Sequence, residues 1–287
     1  MDYPSHLQLE TSTFCNAHCS FCYLPRLERK GGVMAKDIFD KIMRDAHELR
    51  DISGLTYIGL FYLNEPLIVP QFFDYLDVLR AGSFRTVIFS NGADLTAEKA
   101  EKLAAYDDVI YIVTFSVAGV NQATCKAIMG LDYMQVKQNI EYFLAINAGR
   151  IPVSINCPNC AATRQFLSDG SWRAEWELII PQIQYGPMYN FAGLVHDPYE
   201  IAENEYLKKQ PCARIGQLCL LWDGRAHLCC MDPEGQVILG DIKEQSLLEI
   251  FNSETSVYYR RMHSERRWDE LLLCKECNMH IVEKRER

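Results

Sequence analysis

Apolar and polar positions along the 287-residue chain fall into two alternating rhythms. Short runs rich in β-branched and aromatic residues, the mark of buried strands, alternate with stretches whose apolar residues recur every three or four positions, the mark of helices. The first strand-like run is His6 to Thr11, and a helical stretch from Ala35 to Arg50 follows with Ile38, Ile42, Ala46 and Leu49 on one face. Leu55 to Leu63 is apolar on both faces, as in strands covered on both sides. Next come a helix over Gln71–Leu79, a strand over Arg85–Asn91 ending in the Asn91-Gly92 turn, and a helix over Ala97–Ala105 capped by Thr96. A strand over Val109–Val117, a helix over Tyr133–Ala145, a strand over Ile151–Asn156, a helix over Trp172–Ile180 and a strand near Ile183–Phe191 complete six units.

Alternating strands and helices imply a parallel sheet with right-handed crossovers. Six units predict an α/β fold, a partial (β/α)6 TIM barrel rather than the complete eightfold one. Sites in such folds lie at the C-terminal ends of strands. After about residue 200 the pattern changes. Gln217 to Asp232 reads as a β-hairpin around Asp223-Gly224, Ser246 to Ser253 as a short capped helix, and Cys274 to Cys277 as a CX2C. The expected division is a barrel over residues 1–204 and a small hairpin-plus-helix module over 205–287.

Composition narrows the function classes. Hydrophobic residues at 48% and charged residues at 23% suffice for a real core. A net charge of −9 is a poor match for nucleic acid, and Arg260, Arg261, Arg266 and Arg267 read as the solvated face of a helix. The N-terminus has no signal-peptide pattern, and the longest apolar run is too short to span a bilayer. The expectation is a soluble, cytoplasmic protein with no membrane partner. In a reducing compartment twelve cysteines point to metal binding or catalysis rather than disulfides.

Cys15, Cys19 and Cys22 share one short loop after the first strand. Thiolates suit zinc or iron–sulfur clusters, but structural zinc takes four ligands and this loop offers three. A four-iron cluster held by three thiolates leaves one iron open. Phe21 is placed to shield it from water. The CX3CX2C spacing, with an aromatic residue before the last cysteine, resembles the radical SAM superfamily. Asn64-Glu65-Pro66 is similar to that family's GEP element, with Asn64 in place of glycine, and Ser90-Asn91-Gly92 to its polar turn after the third strand. Ser116 and Asn156 match positions that contact the ribose and carboxylate of S-adenosylmethionine (SAM), although Ser116–Gly119 lacks the acidic residue often found there. The resemblance implies SAM chelated on a [4Fe-4S] cluster, cleavage to a 5′-deoxyadenosyl radical, and hydrogen abstraction from substrate. It also implies a flavodoxin or ferredoxin-type electron donor.

Cys212, Gly224, Cys229 and the distant Cys274 and Cys277 resemble the SPASM and Twitch extensions of radical SAM enzymes. The resemblance implies an auxiliary [4Fe-4S] cluster held by Cys212, Cys229, Cys274 and Cys277, hence two [4Fe-4S] clusters in all. Cys229 and Cys230 compete for the second place, and the spacing from Gly224 favours Cys229. Zinc is the other reading of four cysteines with a CX2C. Cys219 reads as a hairpin core residue, Cys125 as structural, and Cys157 with Cys160 as a further CX2C of bridging, redox or merely packed thiols.

The fate of the substrate radical defines the enzyme. Electron loss to the auxiliary cluster gives oxidation, and hydrogen return from a thiol, for which Cys230 is the candidate, gives epimerisation. The first expectation is a small-molecule substrate of the sugar or aminocyclitol kind, because the module is compact and the first strand lies too near the N-terminus to leave room for a peptide-leader domain. A peptide or protein substrate is the second, and a non-catalytic iron–sulfur or zinc protein the third. Arg164, Trp172, Arg173, Tyr189 and His196 are candidates to line the open side of the cavity.

Overall fold

In the computed structural model, which describes residues 2–180, 182–196 and 211–278, the elements alternate as the periodicity predicts. In chain order the first half holds β1 (Leu7–Leu9), α1 (Lys36–Ser53), β2 (Ile58–Gly59), α2 (Phe72–Ala81), β3 (Thr86–Ser90), α3 (Ala97–Ala104), β4 (Ile110–Ser116), α4 (Gln122–Met129) and α5 (Tyr133–Asn147). Then come β5 (Val153–Asn159), α6 (Arg164–Ser168), α7 (Ser171–Trp176), β6 (Ile183–Pro187), β7 (Leu218–Leu220), β8 (Arg225–His227), β9 (Ile238–Asp241), α8 (Leu247–Phe251) and α9 (Glu254–Ser264). Two units divide the chain, one over residues 14–25 and 58–188, the other over the described parts of 1–13, 26–57 and 189–287. The boundary expected near residue 205 lies outside the described residues.

The first unit is built on an all-parallel sheet in the order β3–β4–β5–β6. Its strands β3, β4 and β5 bury Ile88, Val113, Phe115 and Ile155 at no more than 1% exposure, which is why they read as apolar runs. The sheet stays open, the partial-barrel architecture that the six-unit pattern implies. Two expectations need correction in detail. The run Leu55–Leu63 yields only a two-residue strand, Ile58–Gly59. The Tyr62 N–H donates to the Asn64 side chain at 3.0 Å, and this local bond takes the place of a ladder bond. The sixth strand stops at Pro187 rather than Phe191.

Helix α4 lacks a sequence-based counterpart because eight residues carry too little periodicity to detect. Its marks are its caps: Asn121 and Thr124 form a capping box, and Gly130 closes the helix in the left-handed conformation. The backbone of Gly119 lies against it. A Cβ at residue 119 would meet the Cys125 backbone at 2.8 Å. Gly119→Ala is therefore expected to destabilise the protein by about 1–3 kcal/mol, read as a lower urea midpoint, because a rigid helix has to shift.

In the second unit β1 pairs in parallel with β7, matching Leu7 with Leu218 and Leu9 with Leu220. The expected hairpin is present as the antiparallel pair β7–β8, and β9 extends it beyond β8. Gly224 turns the hairpin at φ +93°, a conformation that favours glycine. Helix α1 buries Phe39, Ile42, Met43, Ala46 and Leu49. On the same face, buried Asp45 accepts from the Leu247 N–H at 3.1 Å, which fixes the start of α8. No helix of the described residues is long and apolar enough to cross a membrane.

Candidate metal centres

Three backbone bonds hold the first cysteine loop to its unit. The Glu65 N–H donates to Phe14 O, the His18 N–H to Met129 O, and the Ser20 N–H to Ile128 O, at 2.8–2.9 Å. The loop thus rests on the C-terminal end of α4 and on the chain after β2. All three thiols are half-exposed. The Ala17 N–H points at Cys15 Sγ and the Leu24 N–H at Cys22 Sγ, each at 3.4 Å. Burial pushes the Cys15 thiol up to about 11, with Glu65 and Cys22 adding to the rise. Burial raises Cys19 further, and Cys22, Cys15 and Cys125 oppose its ionisation in turn. Thiols that resist one another's ionisation in one small space fit a cationic metal, which cancels their repulsion.

A buried carboxyl organises the next shell. Glu65, 2% exposed, accepts from the Leu67 N–H at 3.1 Å, the Ser90 hydroxyl at 2.8 Å and the Asn91 N–H at 2.8 Å. Burial raises this carboxyl to about 7, outweighing the lowering by its three donors. Asn91 in turn donates through Nδ2 to Asn16 Oδ1 at 2.7 Å and to Cys15 Sγ at 3.8 Å. Glu65, Ser90, Asn91 and Cys15 therefore form one connected set. Asn16 belongs to it without having been singled out by the sequence, where only its place inside the loop marks it.

Ser116 and Asn156 are register partners, and Gln184 is the partner of Asn156 on the next strand. The three form a polar row at one level across β4, β5 and β6. Their side chains make no hydrogen bond to another described residue. Thr114 and Ser154, two residues earlier on the same face, are bonded to each other at 2.8 Å. Gln184 is missed by sequence reasoning because only the register reveals its neighbours. Phe21 and Asn64 are half-buried. Trp172 is no cavity residue: it is fully buried, and its Nε1–H donates to Val117 O at 2.9 Å. Arg173 is paired with Glu177 on the surface and His196 is exposed.

The second cysteine set lies wholly within the other unit. Burial raises the Cys274 thiol to about 12, with Cys277 and then Cys212 pushing the same way. Burial also drives Cys229 upward, followed by Cys230, Cys219 and Cys277. Cys229 thus shares the field of the terminal CX2C. Cys230, 7% exposed, adds its field to Cys229, Cys219 and Arg214 alike. Burial works against the Arg214 cation, but Cys230, Tyr189, Cys212 and Cys219 outweigh it and raise its pKa. Helix α9 contributes Tyr259 and His263, four residues apart and both buried. His263 Nε2 lies 3.3 Å from Cys274 Sγ, and its Nδ1 accepts from the Cys212 N–H at 3.3 Å. Mutually opposed thiols, beside a cation and a ring N–H, again fit a metal cluster.

Cys125 is buried on α4 and Cys219 on β7. Cys157 and Cys160 are both 1% exposed, and burial raises Cys157 strongly, with Cys160 adding to it. Thr163, whose hydroxyl lies 3.5 Å from Cys160 Sγ, closes the turn. A thiol raised in this way, as that of Cys157 is, is a poor nucleophile.

Known proteins resemble this chain along most of its length. The family model described as the radical SAM superfamily matches residues 9–159, and the SPASM model, described as an iron-sulfur cluster-binding domain, matches residues 212–278. A Pyrococcus furiosus protein named tungsten-containing aldehyde ferredoxin oxidoreductase cofactor-modifying protein is 23% identical over 299 residues, covering 89% of this chain and 83% of its own. The crystal structure of BtrN in complex with AdoMet and 2-DOIA superposes with a TM-score of 0.65 at 18% identity, over 97% of this chain and 94% of that one. Streptococcus suis SuiB bound to precursor peptide SuiA superposes with a TM-score of 0.68 at 15% identity, over 98% of this chain and 71% of that one.

Proposed function

Because the chain belongs to the radical SAM superfamily, with [4Fe-4S] clusters and S-adenosylmethionine as its cofactors, we propose that it dehydrogenates or epimerises a small, hydroxyl-rich metabolite of the sugar or aminocyclitol kind. When bound, SAM on the first cluster supplies a 5′-deoxyadenosyl radical that takes a hydrogen atom from substrate, and the auxiliary cluster supplies a one-electron acceptor. In this reading Cys15, Cys19 and Cys22 hold the first cluster, shielded by Phe21, and Cys212, Cys229, Cys274 and Cys277 hold the second. Asn64 and Glu65 shape the backbone toward the SAM amino group. Ser90, Asn91, Ser116 and Asn156 contact the rest of SAM.

The observation that carries the substrate class is Gln184, which continues the polar row of Ser116 and Asn156 beyond the residues given to SAM. Its side-chain amide, with no hydrogen bond to another described residue, supplies donors and an acceptor for a ligand that carries hydroxyls. The likeness to BtrN, a structure that contains 2-DOIA, supports it. The epimerising variant assigns the returning hydrogen atom to Cys230. A peptide or protein substrate is the second reading, favoured by the likeness to SuiB with its bound precursor peptide. The electron donor is of the flavodoxin or ferredoxin type, and twelve free cysteines suit the reducing cytoplasm.

Protein reconstituted with iron and sulfide is expected to form 5′-deoxyadenosine from SAM and dithionite. Incubation with a panel of polyols and aminocyclitols in deuterated water then separates the readings. A ketone product marks the dehydrogenase, and one solvent deuterium at an inverted carbon marks the epimerase. Turnover of peptides alone would overturn the small-metabolite reading, and absence of 5′-deoxyadenosine would overturn both.

A further inference from the structure

We infer that His263 is a positioning residue of the auxiliary cluster: it donates a hydrogen bond to the Cys274 sulfur and so raises that cluster's reduction potential. The inference rests on the reading that Cys212, Cys229, Cys274 and Cys277 hold the cluster.

The tautomer follows from the partners. A backbone N–H can only donate, so the Cys212 N–H at 3.3 Å makes His263 Nδ1 the acceptor. In the neutral ring the proton then sits on Nε2, the atom 3.3 Å from Cys274 Sγ. The ring is 1% exposed and stacks on Trp268 with centroids 5.8 Å apart and planes at 28°. It is thus held from three sides: by the backbone of one proposed ligand, the sulfur of another and an indole. Reduction adds negative charge to a cluster and its sulfurs, and an N–H aimed at a sulfur stabilises the added charge. Outer groups of this kind orient ligands and set potentials. The sequence carries no hint of this, because His263 meets Cys212 only through the fold.

The test uses the full chain with Cys15, Cys19 and Cys22 all replaced by alanine, which isolates the auxiliary cluster at about four irons per chain. Absence of iron from this protein would overturn the ligand reading, and the inference with it. Two substitutions separate the two bonds. His263→Asn keeps an acceptor near the Nδ1 position and removes the donor to Cys274; His263→Gln places an N–H donor near the Nε2 position. At the midpoint of the unsubstituted cluster, followed by electron paramagnetic resonance, the reduced-to-oxidised ratio is expected to fall about tenfold in His263→Asn (about 59 mV for one electron). It is expected to stay within about threefold in His263→Gln. Equal ratios in all three proteins overturn the inference. A second measurement needs no substitution at residue 263. With 15N-labelled histidine, pulsed resonance of the reduced cluster is expected to show a ring-nitrogen coupling and an exchangeable proton, and their absence overturns the inference.

Discussion

Replacing Cys19 by alanine will reduce 5′-deoxyadenosine formation to background and halve the iron content, from about eight to about four per chain for two four-iron clusters. The first loop offers three thiols, so loss of one leaves two, too few to hold a four-iron cluster. Burial, then Cys22, Cys15 and Cys125, all oppose the ionisation of Cys19 when no metal compensates. The control is the double replacement Cys274→Ala/Cys277→Ala in the other unit, which likewise leaves only two thiols of its set. It should lose a similar share of iron yet retain most SAM cleavage, because its set is separate. Iron analysis and chromatography of 5′-deoxyadenosine read both outcomes. Equal loss of SAM cleavage in the two variants would mean that the two cysteine sets do not act independently.

Much of this was legible in the chain. The parallel strands announced themselves because burial on both faces forces apolar runs such as Val109–Val117, and the polar turn at Asn91-Gly92 breaks such a run sharply. The first cysteine loop was legible because all three thiols fall within eight residues. What failed had physical causes. Leu55–Leu63 looked like a strand, yet Asn64 captures the Tyr62 N–H and bends the chain. Helix α4 was hidden by its length. Helix α9 was legible only through Arg260 and Arg261, read as its solvated face, since its buried stripe of Ser256, Tyr259, Met262 and His263 is half polar. His263, Gln184 and Asn16 owe their interest to neighbours far along the chain or across a sheet, and no local pattern records those. The register of β4, β5 and β6 also changes the meaning of Ser116 and Asn156, from two strand-end residues to two-thirds of a polar row.

Glu65→Ala is expected to cost about 3–4 kcal/mol of stability and most of the SAM-cleaving activity. The wild-type carboxyl accepts from two backbone N–H groups and the Ser90 hydroxyl, all buried. Alanine leaves these donors without their acceptor, and each unsatisfied buried group costs about 1–3 kcal/mol before the site relaxes. The activity follows because Asn91, anchored by this carboxyl, reaches Asn16 and Cys15. Glu65→Gln keeps one oxygen but turns an amide toward the remaining donors, so about half of the loss should remain. The pH dependence has a definite sign. Burial raises the carboxyl from the ordinary 4.5 to about 7, so its protonated form is the one the fold favours. Its contribution is present in full below pH 4.5 and fades as pH rises through about 7. The stability gap between wild type and Glu65→Ala, from urea titrations at pH 5.5 and 8 (values chosen to bracket roughly the upper part of that window), should therefore narrow as pH rises. A gap that widened instead would show the three donors outweighing burial, and Glu65 would then be an ionised anchor for Ser90 and Asn91 rather than a neutral one.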